Sequence, residues 1–404
     1  MIGERPTVVV GAGLVGLAVA RQLLIQSPGR PVSVLETEAT VAAHQSGRNS
    51  GVVHSGIYYA PGSISARLCS RGGAQLREFC VEAGIPVRPL GKLIVATSPE
   101  EARRLPVLLE RARINGIPGV TIVGSRGIRE IEPNARGTAA LHVPGTSSVD
   151  FVAVAAALAD DIRRRGGTVR LGCEVRGGRV RADGISVLTA TEPLEADRVI
   201  LCPGLQADRL ARCFGAPREP EIVPFRGSFW RLRPDAARMV RGHLYPVPDP
   251  GLPFLGVHAS RRHDGEVWLG PNAVLALSRV GYRRGQLEWR TLREEASSPG
   301  LRRLMLRHWR TGLWELARDR SRQLLVASAG RLLPEITTAD MAPGLSGVRA
   351  QALSRDGRLV SDFVFWRRGP LLAVRNAPSP AATASLAIAE HIVSVFTETA
   401  RNGA

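Results

Sequence analysis

The start of the chain constrains it most. Thr7-Val8-Val9-Val10 is a β-branched run suited to a buried parallel strand. Gly11-Ala12-Gly13-Leu14-Val15-Gly16 follows, then Leu17 to Leu24 at helical spacing, Gly29, and a second run Val32-Ser33-Val34-Leu35 that ends at Glu36. Gly11 permits a tight turn, Gly13 lets the backbone approach a pyrophosphate, and Gly16 lets helix and strand pack closely. The amides that open the helix, at Leu14 and Val15, carry partial positive charge suited to a diphosphate. Glu36 is placed to accept hydrogen bonds from ribose hydroxyls. A glycine-rich turn with no ligand is the plain alternative. The complete series of strand, glycines, helix, strand and terminal Glu favours a dinucleotide. It does not decide between FAD and NAD.

The 404 residues suggest two or three units at ~150 residues each, or one large α/β domain with an insertion. A hydrophobic fraction of 44% with 22% charged residues is globular and excludes wholesale disorder. No repeat is found, which argues against solenoids and propellers. The formal charge of +18 invites a nucleic-acid or membrane reading. However, Lys92 is the only lysine among 54 basic residues, a bias expected of GC-rich codons, and no nucleic-acid-binding motif accompanies the charge. No nucleic-acid partner is expected. The five cysteines contain no C-x-x-C pair, so neither a disulfide framework nor a metal site is expected, and a reducing, cytoplasmic setting is. No apolar run is long enough to span a membrane. Thr7–Leu24 is read as strand and helix rather than a signal peptide, because it lacks a basic leader.

Two further segments point to a flavin. Ser46-Gly47-Arg48-Asn49-Ser50-Gly51-Val52-Val53-His54-Ser55-Gly56-Ile57-Tyr58-Tyr59 is small and polar with aromatic ends, and reads as a loop laid along a ligand. Arg375-Asn376-Ala377-Pro378-Ser379-Pro380-Ala381-Ala382-Thr383 precedes a helix expected from about Ala384 to Val395. The prolines fix the helix start, and its dipole suits a negative charge such as that of a reduced flavin.

With these segments in place, the sequence resembles the FAD-dependent L-2-hydroxyglutarate dehydrogenases and oxidases, within the D-amino-acid-oxidase-like flavoproteins. The matching stretches are Gly47–Tyr59, Tyr245–Pro250 with Leu252–His258, Gly270–Ala273, Gly347–Gln351 and Asn376–Thr383, in family order over nearly the whole chain. The resemblance implies an α/β fold with a discontinuous, Rossmann-like FAD-binding domain (1–90, 146–215 and 340–404). It also implies a substrate domain of antiparallel sheet plus helices (91–145 and 216–339). Arg198–Cys202, then Pro203-Gly204 and a helix over Gln206–Phe214, repeat the N-terminal strand–turn–helix logic. The cofactor residues implied are Gly11, Gly13, Leu14, Val15, Gly16, Glu36, Arg48, Asn49, Ser50, Gly51, Val175, Gly204, Arg349, Asn376, Ala377, Pro378 and Ser379.

The activity implied is oxidation of an L-2-hydroxy acid, L-2-hydroxyglutarate above all, to the 2-oxo acid, with hydride passing to flavin and a quinone or oxygen as acceptor. Such chemistry needs a base for the hydroxyl proton and a cation for the carboxylate. His54, in the loop the family places beside the isoalloxazine, is the leading base, and His258 the alternative. Arg349 is the first carboxylate candidate and Arg226 the second, since guanidinium binds carboxylate bidentately. Tyr59, with Tyr58, donates hydrogen bonds or lines the pocket. Asp249, between prolines, reads as a turn residue.

Departures from the family pattern suggest a different substrate. Ala60 and Ser65 stand where lysines are usual, Thr146–Asp150 lacks the usual Gly-Ile, and Ser228 and Phe229 replace Glu and Tyr. The bland reading is drift, with Arg67 or Arg71 supplying the missing charge. Rival functions are a repurposed oxidase or dehydrogenase of another hydroxy or amino acid, and a basic protein whose flavin is structural. The Arg-rich stretch Gly300–Gln323 has apolar spacing that suits an amphipathic helix facing the core or a membrane surface. The family's link to respiratory membranes keeps peripheral contact with the inner face of a membrane open.

Overall fold

The computed structural model describes residues 5–250 and 255–401, with side chains through residue 397. Leu252, Pro253 and Phe254, part of one matched stretch, and the outermost residues assigned to the cofactor domain lie outside the described residues.

The strand Thr7–Val10 pairs in parallel with Val32–Leu35 on one side and Arg198–Leu201 on the other. Thr168–Arg170 and Leu371–Asn376 extend this sheet in parallel, and Val364–Arg368 closes it antiparallel, giving six strands. Alternate side chains face opposite layers. Val9, Val34, Ile200 and Leu372 pack on the helices Leu14–Gln26, Phe151–Arg164 and Ser385–Arg401. Val8, Val10, Leu35, Val199 and Leu201 instead pack with Ile185 and Val187 of the three-stranded meander Val175–Ala196. Both faces are covered, which is why these strands read as uninterrupted apolar runs. Each fully buried side chain, such as Leu17, contributes roughly 1.5–3 kcal/mol.

The second sheet has nine strands. Lys92–Ala96, Ala139–Val143 and Thr121–Gly124 form one wing; Glu221–Leu232, Val267–Gly270 and His258–Arg261 form the other. The wings meet where His243–Pro246 pairs with Lys92–Ala96. This junction is parallel, so the sheet is mixed rather than purely antiparallel.

The structure bears on three local expectations. Met341–Leu353 pairs with Glu221–Leu232 in this larger sheet, although residues from about 340 were grouped with the cofactor segments; the chain rejoins the parallel sheet only at Val364. Val169–Val175 is not one strand: Thr168–Arg170 ends in the parallel sheet, and Val175 begins the meander. The Arg-rich helix, Pro299–Arg320, breaks at His308, which has φ −121° and ψ 25°. Leu301 and Leu304 are buried before the break, whereas beyond Leu304 the apolar side chains face outward: Leu306 is 78% exposed, Trp309 55% and Leu313 58%. Among the described residues, no helix is long and apolar enough to cross a membrane.

Candidate active site

The N-terminal turn builds a cradle that only glycine permits. A Cβ on Gly16 would lie 2.0 Å from the Gly11 carbonyl oxygen, and one on Gly11 (φ +104°) 2.5 Å from that of Cys202. Leu14 N donates to Ser46 Oγ at 3.0 Å, tying the loop over the helix start. Glu36 accepts from Ala12 N at 2.6 Å and Glu38 N at 3.0 Å, so it also holds the glycine turn in place.

Two hollows meet at this turn, sharing Gly13, Gln45, Ser46, Cys202 and Gly204. One, of about 610 Å³, runs past Gly11, Glu36, Val175 and Arg176. The other, of about 150 Å³, runs past Leu14, Val15 and Gly16 to Asn376, Ala377 and Ala382. The pair form an elongated slot across a helix N-terminus, with an acid at one end and the Asn376 segment at the other. The residues present therefore fit an extended dinucleotide such as FAD.

Not every expected cofactor residue lines this slot. Arg48, Asn49, Ser50, Gly51, Arg349, Pro378 and Ser379 line neither hollow. Arg48 donates to Ala43 O and stacks over Tyr282 at 3.9 Å. Asn49 Nδ2 donates to Ser46 O at 2.7 Å while its Oδ1 accepts from Gly51 N, so it pins the loop. Asn376 does line the slot, held by the carbonyls of Val360 and Asp362. Gln45 and Arg209 were missed, whereas Ser46 and Ala382 lie in the two segments read as flanking a ligand.

Beyond the Ala381–Ala382 wall lies a cluster of titratable groups. His54 is tied to that wall: its amide donates to Thr383 Oγ1 at 3.1 Å. Lys92 and His243 pair in register at the starts of parallel neighbouring strands, and the antiparallel register His243↔Ser260, Leu244↔Ala259 brings His258 beside Tyr245. His258 stacks on Tyr245 with ring centroids 4.1 Å apart. Its Nδ1 lies 2.9 Å from Gly256 O. A carbonyl can only accept, so Nδ1 carries the proton and Nε2 presents its lone pair.

Burial, then the nearby Lys92, His243 and His258, pushes His54 down to about 3. Burial first, with Arg349 and Lys92 adding to it, pushes His258 down to about 4. Both are neutral at physiological pH. Arg349, beside Tyr245 and His258, stays cationic although burial lowers it. Tyr59 is raised by burial and hydrogen-bonded to Ser379. The Tyr58 hydroxyl is buried without a hydrogen-bond partner among the described residues.

Arg226 does not join this cluster. Its Nη2 donates to Asp319 Oδ2 at 2.7 Å, both side chains being buried, and Asn272 and Ser228 complete the network. Its charge is already matched, unlike that of a carboxylate clamp. Arg67 and Arg71 do not replace the missing lysines here either. Arg67 donates to Gly62 O, and Arg71 pairs with Glu390 on the surface. Sequence reasoning missed Lys92, His243 and Tyr245 as site residues.

Residues 7–395 match the FAD dependent oxidoreductase family. The chain is 44% identical over 403 residues to a mitochondrial L-2-hydroxyglutarate dehydrogenase of Nematostella vectensis, covering 95% of this chain and 88% of that protein. It is 42% identical to the Homo sapiens mitochondrial L-2-hydroxyglutarate dehydrogenase over 94% of this chain and 86% of that one. For the Escherichia coli (strain K12) L-2-hydroxyglutarate dehydrogenase the values are 39%, 96% and 92%. Among solved structures, FAD-bound L-alpha-glycerophosphate oxidase from Mycoplasma pneumoniae superposes with a TM-score of 0.80 at 21% identity, covering 98% of this chain and 95% of that one. The glycine cradle, the two-ended slot and these full-length matches agree: the chain belongs to the FAD-dependent oxidoreductases.

Proposed function

We propose that this protein oxidises L-2-hydroxyglutarate to 2-oxoglutarate. The observation that carries this reading is a buried cluster of cations and neutral histidines, tied through His54 and Thr383 to the wall of the cofactor slot. FAD, when bound, supplies the hydride acceptor. Arg349 takes the carboxylate next to the reacting carbon, which fixes the substrate's orientation. His54, tethered to Thr383, takes the hydroxyl proton on a ring nitrogen. Burial keeps that nitrogen unprotonated at neutral pH, and the negative charge of a bound carboxylate would raise its basicity. A specific observation favours His258 as a second reading: its Gly256 contact leaves Nε2 free to accept. Tyr58 and Tyr59 line the pocket.

The test is anaerobic mixing of the purified holoprotein with a panel of L-2-hydroxy acids and amino acids, following flavin bleaching. Fastest reduction by L-2-hydroxyglutarate supports the proposal. Fastest reduction by an amino acid or a monocarboxylate overturns it in favour of a repurposed enzyme, and no reduction by any member leaves a structural flavin. Replacing His54 and His258 singly with Ala assigns the base: the true one lowers the reduction rate by ~10²–10⁴-fold.

We further propose a membrane-surface setting on the cytoplasmic side, with a quinone as acceptor. Leu306, Trp309, Leu313 and Trp314 are exposed on a helix that also carries Arg302, Arg303, Arg307 and Arg310. Aromatic and aliphatic side chains among arginines suit an anionic bilayer interface. Reoxidation by oxygen as fast as by a soluble quinone would contradict the acceptor.

A further inference from the structure

Lys92 is the only lysine in a chain with 54 basic residues. Arginine stands at every other Lys/Arg position, buried ones such as Arg279 and Arg375 included. The one position that keeps lysine is 2% exposed and opens the strand Lys92–Ala96 in the middle of the candidate active site. It pairs in register with His243. Its ammonium sits 4.8 Å from the Tyr58 ring centroid and 5.2 Å from that of Tyr245. An ammonium is a compact point charge, whereas a guanidinium is a wide planar fork. The space between two tyrosine rings suits the first.

No carboxylate of a described residue pairs with Lys92, and the group that favours its charge is the Cys69 thiol, itself pushed up to about 12 by burial. A buried ammonium without a counter-ion is costly. Cation–π contact with Tyr58 and Tyr245 offsets part of that cost. His54, His243 and His258 around it are neutral or cationic and supply no negative charge. The fold thus holds a positive charge for which no counter-ion is found among the described residues. A ligand can supply it.

We infer that Lys92 binds the second, distal carboxylate of the substrate, while Arg349 binds the one beside the reacting carbon. This rests on the dicarboxylate reading above and makes Lys92 the residue that selects a dicarboxylate over a monocarboxylate. It also accounts for the loss of lysines near Tyr59, at Ala60 and Ser65, without loss of a dicarboxylate site.

The test compares L-2-hydroxyglutarate with L-2-hydroxyvalerate, of equal chain length with a methyl end. In Lys92→Met holoenzyme, kcat/KM for L-2-hydroxyglutarate should fall by roughly 10–100-fold, the range of a charge-assisted hydrogen bond, with L-2-hydroxyvalerate within about threefold of wild type. An equal fall for both, or for neither, overturns the assignment. Wild-type enzyme that is reduced by L-2-hydroxyvalerate but not by L-2-hydroxyglutarate overturns the dicarboxylate reading as well. A second measurement needs no variant. Because the chain has one lysine, holoenzyme grown on 13C-lysine gives one lysine side-chain NMR signal. Saturating glutarate should shift it and butyrate should not; an unmoved signal with glutarate bound overturns the proposal.

Discussion

Replacing Arg226 with methionine separates a structural from a substrate-binding role. Arg226 Nη2 and Asp319 Oδ2 are 2.7 Å apart with both side chains buried. Asp319 also accepts from Asn272 Nδ2 at 2.7 Å and Ser228 Oγ at 3.2 Å, and Arg284 Nε stands 3.2 Å from it. Removing one partner of a buried pair costs about 3–5 kcal/mol, because the other charge is stranded. Here Asn272 and the half-exposed Arg284 remain, so the loss is reduced to about 2–3 kcal/mol. Adding Asp319→Asn removes the stranded charge and recovers part of it. The assay is the denaturant midpoint of the holoprotein, read beside KM for L-2-hydroxyglutarate. We expect a clear stability loss with KM within about threefold, well short of a lost charge-assisted bond. Unchanged stability with KM raised roughly 100-fold would refute the reasoning and return Arg226 to the carboxylate.

Gly13→Val should yield protein without FAD, because even a Cβ there stands 3.0 Å from Ser46 Oγ and a larger side chain would project into the slot; yellow protein of normal flavin content contradicts this. His54, His243 and His258 are held at about 3, 3 and 4 against an ordinary 6.5, so between pH 6.5 and 4 the unfolded chain binds protons that the folded chain does not. Their stabilisation is present above pH 6.5 and lost as pH falls, each contributing a slope of up to about 1.4 kcal/mol per pH unit; a Tm that stays flat from pH 7 to 4.5 contradicts it. Lys92, lowered to about 8 by burial amid His54, His243, His258 and Cys69, loses its charge as pH rises past that value. KM for L-2-hydroxyglutarate should therefore climb above pH 8 more steeply than KM for L-2-hydroxyvalerate, and parallel profiles would contradict the role. Vesicles with anionic lipid should retain the protein at low salt and release it at high salt, with Trp309→Ser and Leu313→Ser together weakening retention.

The cofactor half of the fold was legible because its signals are local. Val8 to Val10 and the three glycines act within a dozen residues, and covered faces make the strands read as plain apolar runs. The second sheet was harder. Met341–Leu353 pairs with Glu221–Leu232 across more than a hundred residues, and nothing in its own alternation reveals the partner. The pocket splits the same way. His54, His258 and Arg349 follow from the family resemblance, and the structure brings them together. Lys92 was visible as a compositional oddity, yet only the register Lys92↔His243 places it beside them. Arg226 shows that a buried ion pair and a substrate clamp have the same appearance in sequence; Asp319 lies 93 residues away. The facing of the Arg-rich helix stayed open in the sequence because amphipathic spacing does not say which side faces inward.

The central claim is oxidation of a dicarboxylic L-2-hydroxy acid in this pocket. Anaerobic titration of the purified yellow protein with L-2-hydroxyglutarate tests it most directly. The account predicts full bleaching of the flavin with one equivalent of 2-oxoglutarate formed per flavin, and a far slower reaction with the D-enantiomer. Flavin that stays oxidised under L-2-hydroxyglutarate, yet bleaches with another hydroxy or amino acid, would contradict it.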